Sequence, residues 1–101
     1  MDAPVSRDEF LRQLDQAMFE TEELIESAEY DEMDDFSPHL SAYRVLLGQL
    51  HELKARIESG EHRFADGADL PFAEWARSHV HAVPFHDLLA ALNKAHRAGV
   101  A

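Results

Sequence analysis

Side chains that favour strands are scarce in this chain. Val, Ile and Thr together number 8 of its 101 residues, against 27 for Ala and Leu. A sheet needs β-branched and aromatic residues to cover its faces, whereas Ala and Leu lead the helix formers. The expected fold class is therefore all-α. At 101 residues, with 46% of them hydrophobic, the chain fits a single all-α domain over residues 1–101 with one core.

Periodicity places the helices. Ser6 stands three residues before Glu9, the spacing of a capping box, and Phe10, Leu11, Leu14, Ala17, Met18, Thr21, Leu24, Ile25 and Ala28 share a stripe at about 100° per residue. These residues predict a first long helix over about 6–33. The run Asp34-Asp35-Phe36-Ser37-Pro38 reads as a stop and restart, with Ser37 as cap and Pro38 at the first helical position. A second long helix over about 38–59 follows, with His39, Tyr43, Leu46, Leu47, Leu50, Leu53 and Ile57 on its apolar side and Gly60 ending it. So short a link makes the two helices an antiparallel hairpin.

Residues 60–70 read as a connector with a turn at Asp66-Gly67. They do not match a calcium loop, because only Asp66 precedes the glycine in a ligand position, and Asp69 reads as a cap for the next helix. A short third helix over about 71–80 puts Phe72, Trp75, Ala76 and His79 on one face. Pro84 breaks the chain before a fourth helix over about 84–98, whose stripe is Phe85, Leu88, Leu89, Leu92, Ala95 and His96. The expected architecture is an antiparallel helical bundle with two long and two short helices. A short pair that leaves part of the long hairpin uncovered makes a homodimer a reasonable expectation.

Charge is distributed unevenly. Residues 1–36 hold 13 acidic and 2 basic residues, whereas residues 37–101 hold 7 of each, so the net charge of -11 belongs to the first third. Glu20, Glu22, Glu23, Glu26, Glu29, Asp31, Glu32, Asp34 and Asp35 follow one another with no base among them. Pairs three or four apart repel by about 0.2–0.5 kcal/mol each, and acids toward a helix C-terminus oppose its dipole. The nearest bases in composition are Arg44, Lys54 and Arg56. Phe19 and Tyr30, eleven residues apart, return to nearly the same helical angle and stand among Glu22, Glu23 and Glu26 rather than on the apolar stripe. An acidic face with aromatic anchors suits a basic protein partner. An extreme form is nucleic-acid mimicry, with carboxylates taking phosphate positions.

The same charge disfavours direct binding to nucleic acid or to an anionic membrane, and no apolar run approaches the roughly 20 residues that a membrane span requires. A basic, apolar leader is lacking, so a cytoplasmic protein is expected. With no Cys, thiolate metal sites, covalent haem and cysteine nucleophiles are excluded. No serine stands in a nucleophile motif, no glycine run cradles phosphate, and the carboxylates sit in a run expected to stay wet and ionised, so no enzyme activity and no cofactor are expected. The alternative is metal binding or pH sensing by His79, His81, His86 and His96. Their spacing matches no metal motif: no pair stands four apart on a helix, and no Glu precedes a His by three. A metal site is not the favoured reading: His79 is accounted for as a core histidine stacked on Trp75, and His96 as one bonded to a backbone carbonyl.

Overall fold

A computed structural model describes residues 2–30, 37–65 and 67–100. Four α-helices appear among these residues, with no strand: α1 (Arg7–Tyr30), α2 (Leu40–Ser59), α3 (Ala73–Ser78) and α4 (His86–Ala98). A 3₁₀ turn, Ser37–His39, leads into α2, and another, Val80–Ala82, lies between α3 and α4. The protein is an all-α helical bundle. Predicted residues 31–33 of the first helix, and Asp34 to Phe36 of the restart, lie outside the described residues.

The stripe read from α1 is the buried side of the helix. Phe10, Leu14, Ala17, Met18, Thr21, Leu24 and Ala28 are buried, and Leu11 and Ile25 pack partly against them. Thr21 is polar but satisfied, since its hydroxyl donates to the Ala17 carbonyl at 2.7 Å. Half of the capping box forms: the Glu9 amide donates to Ser6 Oγ at 3.2 Å, while the Glu9 carboxylate accepts from the Val5 amide at 3.0 Å instead of from Ser6. Tyr43, Leu46, Leu50, Leu53 and Ile57 of α2 face the same core. Three cross-links fix the direction of α2. Arg7 donates to the Ile57 carbonyl, Lys54 pairs with Asp15, and Arg44 pairs with Glu29. Numbers rise along one helix as they fall along the other, so α1 and α2 are antiparallel.

α4 packs on α1, and α3 packs on α4. The α3 expectation was too long at both ends. Leu70 to Phe72 form a turn in which the Ala73 amide donates to the Leu70 carbonyl, and His79 leaves the helix at φ -128°. The 3₁₀ turn and Val83-Pro84 then redirect the chain into α4, whose predicted stripe of Phe85, Leu88, Leu89, Leu92, Ala95 and His96 is buried. α2 ends as expected at Gly60, which takes φ +80°, a left-handed conformation that glycine adopts without a Cβ clash.

The connector is tied down by groups that periodicity does not single out. Phe64 meets Phe10 edge to face at 5.1 Å, and the Ala65 amide donates to the His96 carbonyl at 2.6 Å. Buried Asn93 accepts from the Leu70 amide at 2.8 Å and donates to Asp69 at 3.1 Å. Asp69, expected as a helix cap, instead receives Arg77 from α3 at 3.0 Å and Arg97 from α4 at 2.9 Å. Asn93→Ala would leave the Leu70 amide without its side-chain acceptor, and a buried group so orphaned costs about 1–3 kcal/mol. The expected result is a lower urea midpoint with an unchanged denaturant slope.

The three donors on Asp69, Asn93 foremost, hold its carboxyl at about 2, below the ordinary 3.8. A carboxyl lowered in the folded state binds fewer protons than in the unfolded chain between these values. Its contribution is therefore complete above about pH 4 and is lost as pH falls through about 2. Unfolding measured between pH 5 and 2 is expected to show a steeper acid limb in the wild type than in Asp69→Asn.

Candidate functional site

α1 presents two opposed faces. At about 100° per residue, Phe19, Glu22, Glu23, Glu26 and Tyr30 fall within a sector of roughly 100°, centred almost opposite buried Phe10 and Ala28. All five are exposed, Phe19 at 53% and Tyr30 at 95%. The two rings are eleven residues apart and therefore about 16 Å apart along the axis. Glu22, Glu23 and Glu26 form no ion pair and no side-chain hydrogen bond among the described residues.

Other acids of α1 are engaged within the fold. Asp15 lies 2.8 Å from Lys54, and its hydrogen bond and charge raise the lysine above its ordinary range. Glu29 lies 2.6 Å from Arg44, which brings a cation to the last turn of a helix that has no base of its own there. Glu20 accepts from Gln16 at 2.8 Å. Arg56 pairs instead with Glu52 of its own helix at 3.6 Å. The bases of α2 thus reach acids other than the three glutamates between the rings.

The four C-terminal histidines do not share one site. His79 stacks on Trp75 with centroids 5.3 Å apart and planes 21° apart, as read from the sequence, and lies 6.4 Å from His81. His96 is 3% exposed, and its Nδ1 lies 3.0 Å from Nε2 of His62, an imidazole partner from the connector. His86 Nδ1 lies 3.2 Å from its neighbour Asp87. The third ring beside His79 and His81 is His39, from the turn before α2. Among the described residues, no three His, Cys, Asp or Glu side chains are placed so as to hold a metal ion.

A groove of about 520 Å³ runs between α3 and α4, with Ala73, Ala76, Val80, Leu89 and Ala90 along it and Arg77, Lys94 and Arg97 at its polar margin. Both arginines are bonded to Asp69, which offsets the charge they would offer an anion. Among the described residues, no helix is long and apolar enough to cross a membrane. Compared with known proteins, the chain matches no family model, no curated protein and no solved structure.

Proposed function

We propose that the protein is a non-catalytic binding or regulatory protein whose α1 face, formed by Phe19, Glu22, Glu23, Glu26 and Tyr30, docks a basic protein surface. The observation that carries this reading is the exposure of both rings on a strip of glutamates that meets no counter-charge among the described residues. Aromatic rings supply the buried area of an interface, and the charges around them steer the encounter. The net charge of -11 favours a cationic partner and opposes direct contact with nucleic acid. A nucleic-acid-binding protein, its basic surface occupied by these carboxylates, is one form that such a partner takes.

The test begins with capture of the partner from the native cell and continues with the purified pair. Dissociation constants measured over a salt series are expected to rise with ionic strength, because the charges around the rings are accessible to screening. Reversal by Glu22→Lys, Glu23→Lys and Glu26→Lys is expected to weaken binding and flatten that dependence. A complex of undiminished affinity in high salt, or one indifferent to the reversal, would contradict the proposal.

A further inference from the structure

We infer that the groove between α3 and α4 is a binding site for an amphipathic carboxylate, an anionic head on an apolar tail. The site is separate from the α1 face, since no residue of α1 lines it. On α4 the lining runs from His86 to Arg97 at spacings of three and four residues, one helix face roughly 16 Å long. Ala73, Ala76 and Arg77 of α3, with Val80 of the second 3₁₀ turn, form the other wall. Small side chains keep the valley open. With Ala73, Ala76 and Ala90 along it the volume is about 520 Å³, inside the range of about 300–1,000 Å³ for small-molecule sites. Val80 is 47% exposed there, an apolar surface that the tail would cover.

Charge selects the head. Acids outnumber bases 20 to 9 in the chain, yet no acid lines this groove, whereas three of the nine bases do. Asp69, at the margin, accepts from Arg77 Nη2 at 3.0 Å and from Arg97 Nη1 at 2.9 Å. It cancels one of the three positive charges and holds two guanidinium groups, one from each wall, beside each other. A guanidinium carries five N–H donors. Only one nitrogen of each is bonded among the described residues, so donors remain for a second carboxylate. Lys94 is exposed and makes no ion pair and no side-chain hydrogen bond among the described residues.

Head and tail have separate places. The cations gather at the Asp69 end, toward the C-terminus of α4, where a fork of N–H donors matches the two oxygens of a carboxylate. Val80 lies at the opposite end, where the chain turns into α4, and there His86 meets its own neighbour Asp87 at 3.2 Å. An anion with a tail therefore matches both ends of the groove, whereas a cation with the same tail meets like charge at one of them.

The test is titration of the isotope-labelled full chain with sodium octanoate, followed by amide chemical shifts and by calorimetry. Octanoate is expected to saturate one site per chain and to move the amides of Ala76, Val80, Ala90 and Lys94. Acetate, which lacks the tail, and octylammonium, which has the tail and the opposite charge, are expected to bind at least about tenfold more weakly. Lys94→Glu should weaken octanoate binding about tenfold or more. Ala90→Phe, which fills the groove from an exposed position, should abolish saturation while the unfolding midpoint changes little. Arg63→Gln, at an exposed cation outside the groove, should leave the affinity unchanged. Absence of saturation, octylammonium or acetate binding as tightly as octanoate, or an affinity indifferent to both groove variants would overturn the inference. Shifts of the same amides that depend on protein concentration without octanoate would make a second copy of the chain the occupant, and would overturn it equally.

Discussion

Tyr43→Ala is expected to lower stability by about 3–5 kcal/mol, the range for truncating a buried aromatic side chain. Tyr43 is fully buried. Its ring meets Trp75 edge to face at 6.3 Å, lies 6.2 Å from His39, and carries the hydroxyl that bonds Ala82. Truncation therefore opens a cavity where α2, α3 and the second 3₁₀ turn meet. For a domain of this size the loss corresponds to a fall of roughly 12–40 °C in Tm, out of a total stability on the order of 5–15 kcal/mol. Tyr43→Phe keeps the ring and removes the donor to a buried carbonyl, for an expected cost of about 1–3 kcal/mol. Thermal and urea unfolding of the two variants separate packing from the hydrogen bond. Equal stability of Tyr43→Phe and wild type would show that the hydroxyl adds nothing to the fold.

Phe19→Ala combined with Tyr30→Ala is expected to have the opposite profile. Both rings are exposed, so the unfolding midpoint should move little, within about 0.5 kcal/mol for each substitution. Affinity for the basic partner should fall at least about thirtyfold, the equivalent of one aromatic hot spot of about 2 kcal/mol. Single glutamate reversals should act more weakly and chiefly on the association rate, because charges at the edge of an interface steer more than they hold. Stopped-flow association and dissociation rates distinguish the two classes of contact. A double variant that loses stability while keeping its affinity would place both rings in the fold rather than in the interface.

The long hairpin was legible because its information is local. The apolar stripes of α1 and α2 repeat at the helical period, and Gly60 marks the end of α2 as expected. The exposed side of α1 was legible for the same reason, since a residue eleven positions from Phe19 must return to its face. What the sequence hid depends on contacts made across the fold. Asn93 sits between Leu92 and Lys94 with nothing local to distinguish it, and its importance comes from partners 23 and 24 residues earlier. Nearness along the chain joins His79 and His81 to His86 and His96. Folding brings His39 to the first pair and His62 to His96 instead, because the α2 entry turn lies against the second 3₁₀ turn and the connector lies along α4. The place of Asp69 before a helix suggests a cap, but arginines from α3 and α4 converge on it.

The most direct measurement is amide chemical-shift mapping of the isotope-labelled full chain as its purified partner is added. Docking through α1 predicts that the largest changes follow the outward face, at Phe19, Glu22, Glu23, Glu26 and Tyr30, and that they vanish in the lysine-reversal variant. Changes centred on the α3–α4 groove or on the outer side of α2, with those five amides unmoved, would contradict it.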